Sequence, residues 1–288
     1  MFGRKRHDNI EETIEKREIH AERKVPEIVT LAYTATGNRS CQQDAVYVTP
    51  GQKLAANRKT RIMAAVCDGM GGMADGGLAS STAIQMLAQA FEKVRREESV
   101  NIPMFFVQGI YAMDKRIHQF PKENGKGSGT TMVAVIMEDN YLYWASVGDS
   151  RIYILRGKDM IQVTRDHNYK LRLDEMVKTG QMTQEQAQAQ KQKEALISFL
   201  GMGNVSLMDV TDKPFEMHFG DIVLLCSDGV TKTLSDERIC AILCNEVVSI
   251  EEKAKILVEA AVRENTYSQD NTSVAIVQYI ESNLKKER

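Results

Sequence analysis

The chain has 288 residues, enough for one large domain or two small ones. Hydrophobic residues make up 43% and charged residues 26%, which is ordinary for a soluble globular protein. The formal net charge of −2 shows no basic excess, so the composition argues against a nucleic-acid-binding protein. No apolar run approaches the roughly 20 residues that span a bilayer, and the N-terminus lacks the apolar core of a signal peptide.

The cysteines indicate a reducing compartment. There are five of them, an odd number, and no Cys-x-x-Cys pair occurs, so we expect free thiols in a cytoplasmic protein. Cys67 and Cys226 each end an apolar segment, which predicts small buried hydrophobic side chains. A cysteine nucleophile would need a neighbouring base, and the sequence offers no such pairing.

The first half of the chain predicts a charged arm, three strands and two helices. Residues 1–26 interleave acidic and basic side chains, and we expect an extension that lies on the surface. Apolar segments then predict strands over residues 28–35, 44–50 and 61–68. Apolar residues at helical spacing predict amphipathic helices over residues 78–98 and 103–120, and Pro103 suits the first turn of the second helix.

Strands and a polar insert follow in the middle of the chain. Four strands are predicted, over residues 130–138, 140–148, 151–156 and 159–164. Residues 168–200 are polar and predict helices, with a helix stop at Gly180 and a capping box formed by Thr183 and Gln186. The insert carries few apolar residues, so we expect it to pack over a surface.

The end of the chain returns to the opening pattern. Residues 221–228 predict a buried strand and residues 273–280 a last one. Ser235 predicts the start of one helix, and Ser249 with Glu252 forms a second capping box. Strands and helices come in blocks rather than in strict alternation, so we expect an α+β fold with antiparallel sheets.

Five aspartates in predicted turns carry the strongest chemical signal. Three of them follow an apolar run, and a strand that ends in Asp-Gly places a carboxylate beside a backbone carbonyl at the sheet edge. One Asp-Gly pair alone is more often a structural turn than a site. Several oxygen ligands from distant segments are, however, what a hard cation needs. The five are Asp44, Asp68, Asp149, Asp228 and Asp270.

The order of six short segments adds specificity. RSCQQD, VCDGMGG, SGTT, SVGDSR, LLCSDG and QDN follow one another with apolar strands between them. With this order the chain resembles, from Ile28 to Tyr279, a metal-dependent protein phosphatase of the 2C type (the PPM family) and in particular its bacterial branch. The resemblance implies a four-layer α/β/β/α sandwich of two antiparallel sheets flanked by helices. It would form one domain over residues 27–281, with a flap at about 168–200 and a charged tail at 282–288.

The resemblance also implies how the acidic residues share the metal ions. Asp68 would bridge two ions, and the carbonyl of Gly69 would coordinate one of them. Asp228 and Asp270 would bind the second ion directly. Asp44 would act through the waters on the metal rather than by direct contact.

Two further positions complete the implied site. Arg39 would bind the phosphate, because its planar fork matches two phosphoryl oxygens. Asp149, with Asp228, would hold a weaker third ion. Because all of these ligands are oxygens, Mn²⁺ or Mg²⁺ suits them better than Zn²⁺.

The implied activity is hydrolysis of phosphoserine and phosphothreonine in proteins, by a hydroxide held between the two ions and with Asp68 and Arg39 at the reacting centre. The implied partners are phosphorylated proteins, among them a Ser/Thr kinase and its substrates. Two alternatives stay open: a catalytically weak scaffold of the same fold that binds phosphoproteins, and a phosphatase of small phosphate esters.

Four positions depart from the family pattern or have no assigned role. Gln43 stands where many relatives have Glu. Met70 and Met73 stand where relatives carry histidine, so the acid that protonates the leaving group has no assigned residue. We expect His167 to be structural, bonding backbone at the base of the flap, although its titration range would also suit a proton donor.

Overall fold

Two antiparallel sheets pack face to face and carry helices on their outer faces. The computed structural model describes residues 24–54, 59–71, 75–122, 127–265 and 267–283. The first 23 residues of the predicted extension and all but the start of the predicted tail lie outside these ranges. Within them, none of the helices is long and apolar enough to cross a membrane.

The strands, in chain order, are β1 (Lys24–Ala35), β2 (Asp44–Val48), β3 (Gln52–Lys53), β4 (Arg61–Met70), β5 (Gly129–Thr130), β6 (Met132–Glu138), β7 (Tyr141–Val147), β8 (Arg151–Arg156), β9 (Asp159–Gln162), β10 (Asp209–Val210), β11 (Phe215–Glu216), β12 (Ile222–Cys226) and β13 (Thr272–Asn283). The first sheet has six strands in the order β3-β1-β13-β12-β8-β9. The second has seven, in the order β10-β7-β6-β4-β2, with β11 paired to β7 and β5 paired to β4.

The longest pairing joins β1 to β13, each of which has 12 residues. It runs from Lys24 opposite Asn283 to Ala35 opposite Thr272. The pairing includes residues 24–26 and 282–283, which the sequence analysis gave to the extension and the tail. Strand β1 therefore begins before its apolar segment, and strand β13 ends after its own.

The helices, in chain order, are α1 (Asp75–Val94), α2 (Ile102–His118), α3 (Tyr169–Lys178), α4 (Gln184–Gln188), α5 (Asp228–Thr231), α6 (Asp236–Leu243) and α7 (Ile250–Glu264). Helices α1 and α2 share a buried apolar cluster with the outer face of the second sheet. Helices α6 and α7 share another with the outer face of the first sheet. A third cluster fills the space between the sheets.

Strand β4 shows why the central strands read as continuous apolar runs. Met63 and Ala65 pack into the cluster with helices α1 and α2, whereas Ile62, Ala64 and Val66 pack into the cluster between the sheets. Successive side chains of a strand point to opposite faces, and here both faces are covered. The three clusters separate four layers, which confirms the predicted α+β sandwich.

Several predicted helix signals are confirmed. Asn101 caps α2 through a hydrogen bond from the Met104 N–H, and Pro103 lies in its first turn. Both capping boxes are present, at Thr183 with Gln186 and at Ser249 with Glu252. Gly180 follows the end of α3 with a φ of 73°, the left-handed conformation that glycine adopts most easily.

Three predicted boundaries are wrong. The helix expected over residues 78–98 begins at Asp75 and ends at Val94, so two glycines lie inside its first turn. Residues 168–200 are helical only in α3 and α4, and residues 189–200 form no helix. The strand expected to reach Asp228 ends at Cys226, and Asp228 instead begins the short helix α5.

Candidate metal and phosphate site

The aspartates meet at one end of the sandwich because the strand pairings bring their segments there. Asp44 starts β2 and lies directly opposite Asp68 of β4. Asp149 lies in the turn between β7 and β8. Asp228 follows β12, and Asp270 comes just before β13, which pairs with β12 through Cys226 and Val274. The structure thus brings the five aspartate-bearing segments to the same end of the sandwich.

A cleft of about 510 Å³ opens at this end. Four of the five aspartates line it, whereas Asp44 lies behind it and is buried. Arg39, on the loop that follows β1, lines the same cleft. The lining residues from the sandwich, which we call the sandwich wall, are Arg39, Gln43, Asp68, Gly69, Met70, Gly71, Thr131, Asp149, Asp228, Lys232 and Asp270. Those from the insert, which we call the flap wall, are Glu194, Leu196 and Phe199.

Two cationic side chains hold two of the carboxylates. Arg39 Nη2 lies 2.7 Å from Asp270 Oδ2. The ammonium of Lys232 contacts Asp228 Oδ2. Sequence reasoning missed Lys232, although its position four residues after an acidic helix start is a recognisable i,i+4 signal.

Burial, together with the neighbouring aspartates, raises the pKa of three carboxyl groups. Burial is the largest cause for each of them. The pKa of Asp44 and that of Asp149 rise to about 7, and that of Asp68 rises well above its ordinary value. Without a nearby cation, this end of the sandwich therefore disfavours the charged form of these carboxyl groups.

The donor set fits a divalent cation. Asp44 Oδ1 and Asp228 Oδ1 are buried and have no hydrogen-bond partner among the described residues. Buried polar atoms in proteins are rarely left unpaired. Over the same residues, no group of three or more His, Cys, Asp or Glu side chains is already gathered around a common point. Asp270 and Asp228 instead pair with Arg39 and Lys232, respectively.

A network of backbone and hydroxyl contacts fixes Asp68. Its N–H donates to Thr131 Oγ1 at 3.0 Å. Its carbonyl accepts from the Thr131 N–H at 2.9 Å and from Thr130 Oγ1 at 2.8 Å. Thr131 Oγ1 also contacts Ser150 Oγ at 2.7 Å, next to Asp149. The Gly-Thr-Thr segment thus ties the bridging candidate to the turn that carries a second aspartate.

Polar side chains also fix Asp44 and the loop of Arg39. Ser227 Oγ donates to Asp44 Oδ2 at 2.8 Å. The amide of Asn271 donates to the carbonyls of Thr36 and Cys41 and accepts from the Gln43 N–H at 2.8 Å. Sequence reasoning gave Asn271 no role, although its place directly after Asp270 could have drawn attention to it.

Glycine is required at two points where backbone segments touch. A Cβ on Gly69 would lie 2.1 Å from the carbonyl oxygen of Gly76, at the start of α1. A Cβ on Gly229 would lie 2.0 Å from the carbonyl oxygen of Asn271. No side chain fits at these distances, so the glycines let α1 and α5 approach the ligand strands closely.

The insert, or flap, is fastened at its two ends. At the first end, the Gly148 N–H donates to His167 Nδ1 at 3.1 Å and the His167 N–H donates to the Gly148 carbonyl at 2.9 Å. His167 is fully buried, and its expected structural role is confirmed. At the second end, Leu200 and Thr130 exchange two backbone hydrogen bonds.

A buried carboxylate secures the second end of the flap. Asp114 of α2 is 3% exposed. It accepts hydrogen bonds from the N–H groups of Gly201, Gly203 and Val205 at 2.8, 3.0 and 3.4 Å. His118 Nδ1 lies 3.0 Å from the Gly201 carbonyl. No sequence pattern indicates this anchor, because a lone aspartate on an amphipathic helix predicts a solvated side chain.

Among the described residues, no cysteine lines the cleft as a candidate nucleophile. Cys67 and Cys226 are fully buried in apolar clusters, as predicted. Burial raises the pKa of the Cys226 thiol to about 12 and that of the Cys67 thiol further. Met70 lines the cleft, while Met73 lies outside the described residues, so the leaving-group acid still has no assigned residue.

Comparison with known proteins identifies the family. The sequence profile of Protein phosphatase 2C matches residues 34–265. Protein phosphatase PhpP of Streptococcus pneumoniae is 32% identical over 222 residues, covering 77% of this chain and 87% of that protein. The serine/threonine phosphatase stp of Listeria welshimeri is 31% identical over 226 residues, covering 77% and 86%.

Solved structures agree with the sequence comparison. The serine/threonine phosphatase of S. agalactiae superimposes with a TM-score of 0.74 at 27% identity, over 87% of this chain and 99% of that one. The catalytic domain of the phosphatase PstP, in complex with two manganese ions, gives 0.68 at 29% identity, over 88% and 99%. A two-sheet sandwich with this acidic end is the architecture of a protein phosphatase, as predicted. The chain belongs to the protein phosphatase 2C family.

Proposed function

We propose that this phosphatase hydrolyses phosphoserine and phosphothreonine in proteins, with two Mn²⁺ or Mg²⁺ ions held at the acidic end of the sandwich. The observation that carries the proposal is the convergence of five aspartates there, with two buried carboxylate oxygens that have no partner among the described residues. Relatives named serine/threonine phosphatases support the substrate. A relative in complex with two manganese ions supports the cofactor.

Some groups of the chain would coordinate the ions directly, and others would position those ligands. Asp68, Asp228, Asp270 and the carbonyl of Gly69 would coordinate the ions, and Asp44 would support them from behind. When bound, such ions acidify water and polarise a phosphoryl oxygen, so they supply a nucleophile near neutral pH. Because the ligands are fixed by backbone hydrogen bonds and paired strands, little reorganisation is needed at the moment of reaction.

Arg39 would position the phosphate. Its side chain is 57% exposed and forms an ion pair with Asp270 at the cleft. If Asp270 turns to an ion, the guanidinium is released to face two phosphoryl oxygens, which a planar fork matches better than a lysine does. The arginine would thus bind substrate in the ground state more than it would stabilise the transition state.

The test compares phosphopeptides and p-nitrophenyl phosphate in Mn²⁺, in EDTA and with Asp228→Asn. We expect EDTA to abolish turnover and Asp228→Asn to lower kcat/KM by about 10³-fold. Asp212→Asn removes an exposed carboxylate elsewhere and should leave turnover unchanged. Activity that survives EDTA would contradict the two-ion proposal. Absence of turnover with every metal would favour the phosphoprotein-binding scaffold, and turnover of the small ester alone would favour the small-ester phosphatase.

The role of Arg39 has its own signature. Arg39→Ala should raise KM for a phosphopeptide by about tenfold or more, which corresponds to a lost charge-assisted hydrogen bond. It should lower kcat less than it raises KM. A large loss of kcat at unchanged KM would contradict a role in phosphate binding.

The predicted Ser/Thr kinase partner rests on the family resemblance, the predicted cytoplasmic location rests on the cysteine pattern, and both stay predictions. The kinase prediction is tested by incubating an autophosphorylated Ser/Thr kinase from the same organism with the phosphatase in Mn²⁺. Loss of the kinase's phosphate with the wild type and its retention with Asp228→Asn would support the pairing, and retention with both would contradict it.

A further inference from the structure

A lysine stands among the acidic ligands of the cleft. Lys232 directly follows helix α5, and its N–H donates to the Asp228 carbonyl at 2.8 Å. It lies one helical turn after Asp228, so its side chain returns to the same face, and its ammonium contacts Asp228 Oδ2. The helical turn therefore presents the lysine and the aspartate to the cleft as a pair.

The two cations of the cleft serve different carboxylates. Arg39 pairs with Asp270 and interacts more weakly with Asp228 and Asp68. Lys232 pairs with Asp228 and also interacts electrostatically with Asp149 and Asp68. Lys232 lines the same cleft as Asp149, and its charge favours the ionised form of that carboxyl group.

Asp228 offers its two oxygens to different sides. Oδ2 is taken by Lys232, whereas Oδ1 is buried and has no hydrogen-bond partner among the described residues. Oδ1 therefore remains for an ion next to Asp68. A further ion that used Asp228 Oδ2 together with Asp149 would have to displace the ammonium from that oxygen.

The charge balance favours the same division. With all five carboxyl groups ionised, as metal coordination requires, Arg39 and Lys232 leave three negative charges uncompensated at this end of the sandwich. Two divalent ions more than neutralise them and leave a modest positive field for a phosphate dianion. A third divalent ion would have to bind against that field and close to the ammonium.

We propose that Lys232 is a resident cation on the Asp149 side of the cleft, so that the chain binds two divalent ions and excludes a third. The inference rests on the proposed function, because it concerns the ions of that same site. It assigns Asp149 a role different from the one the resemblance implies: Asp149 compensates the lysine instead of holding an ion.

The test counts Mn²⁺ ions per chain by equilibrium dialysis with metal analysis, over a range of free Mn²⁺. The variants are Lys232→Met, which keeps the length of the side chain without its charge, and Lys232→Arg, which keeps the charge. Lys255→Met is the matched control, because Lys255 is exposed on α7 and contacts only Glu259 among the described residues. Lys232 itself is 59% exposed, so its substitution should leave the fold intact, which circular dichroism checks.

We expect two bound Mn²⁺ ions per chain for the wild type, Lys232→Arg and Lys255→Met. We expect a third ion for Lys232→Met, bound with an affinity at least about tenfold higher than that of any third ion in the wild type. Adding Asp149→Asn to Lys232→Met should remove the third ion. Three ions in the wild type, or the same two in Lys232→Met, would overturn the role of Lys232 and leave the proposed function intact. No Mn²⁺ in the wild type, together with no phosphatase activity, would overturn both.

Discussion

The two walls of the cleft are built in different ways. On the sandwich wall, Asp68 sits at a strand pairing, and its backbone donates one hydrogen bond and accepts two. On the flap wall, Glu194 and Phe199 belong to a segment without regular structure, and Glu194 is exposed. The difference teaches that the groups proposed for chemistry are fixed by paired strands, whereas the groups proposed to face the rest of a substrate lie on an irregular segment held by scattered hydrogen bonds, such as those of Ala195 with Tyr169 and Ile197 with His167.

The largest expected effect comes from the sandwich wall. Gly229→Ala would place a Cβ 2.0 Å from the Asn271 carbonyl oxygen, so α5 or the start of β13 must shift. We expect the free energy of unfolding to fall by about 3 kcal/mol or more and activity to be lost with it. Urea denaturation followed by circular dichroism measures the change. Gly127→Ala, where an added Cβ would lie no closer than 3.9 Å to the Lys122 side chain and φ is not positive, is the control for an added methyl group alone.

The next effect tests the fastening of the flap. Asp114→Ala removes a buried acceptor of three N–H groups, so we expect the free energy of unfolding to fall by about 3 kcal/mol. The released flap should raise KM for phosphopeptides much more than KM for p-nitrophenyl phosphate, which does not span the flap. Asp114→Asn keeps one acceptor oxygen and should recover part of both losses. Equal damage to the two substrates would place the effect on the sandwich wall instead.

A smaller effect depends on pH at the first end of the flap. Burial raises the pKa of Asp209, but hydrogen bonds from His167 and Arg165 outweigh it and hold the pKa well below its usual value. The lowered pKa stabilises the fold at pH values above the unfolded pKa of about 3.9, and this stability is lost as the pH falls through the folded value. Asp209→Asn should therefore cost on the order of 1 kcal/mol at pH 7, after solvent screening.

The measurement for Asp209→Asn is the difference in free energy of unfolding between variant and wild type at pH 7 and at pH 3. The difference should shrink at the lower pH, because the wild-type carboxylate begins to protonate in the unfolded chain. A difference that stays constant over this range would contradict an ionic contribution from Asp209.

The smallest effect on stability belongs to the flap wall. Glu194→Lys changes an exposed side chain, and we expect less than about 0.5 kcal/mol in the free energy of unfolding. It should shift preference from phosphopeptides with basic residues beside the phosphoresidue towards those with acidic ones, measured as the ratio of kcat/KM. Lys191→Glu, an exposed charge change in the same insert but outside the cleft lining, should leave the ratio unchanged.

The sequence allowed the sandwich wall to be predicted better than the flap wall. The apolar runs located the long strands, and Asp-Gly turns after them pointed to one acidic end, because the order of strands and turns is encoded locally. The short strands β3, β10 and β11 carry too few residues for a pattern, and they form only against a neighbour. The non-helical course of residues 189–200 depends on distant partners such as Thr130, and polar composition alone favoured helix.

The site shows the same limit. The aspartates could be found from their turns, whereas the anchor Asp114 could not, since its partners come about 90 residues later in the chain. Lys232 is recognisable in the sequence as an i,i+4 neighbour of Asp228. Its proposed role, however, depends on Asp149, which lies in the distant turn between β7 and β8. Contacts across the fold, rather than residue types, decide these roles.

The pairing of β1 with β13 has a practical consequence. Ala35 and Thr272 lie at the cleft end of this ribbon, and Lys24 and Asn283 lie side by side at the other. With a rise of about 3.3 Å per residue, the two ends are roughly 35–40 Å apart. A tag, fluorophore or surface linker attached beyond either Lys24 or Asn283 therefore departs from the face opposite the cleft, and the two attachment points are close enough for a short connecting peptide.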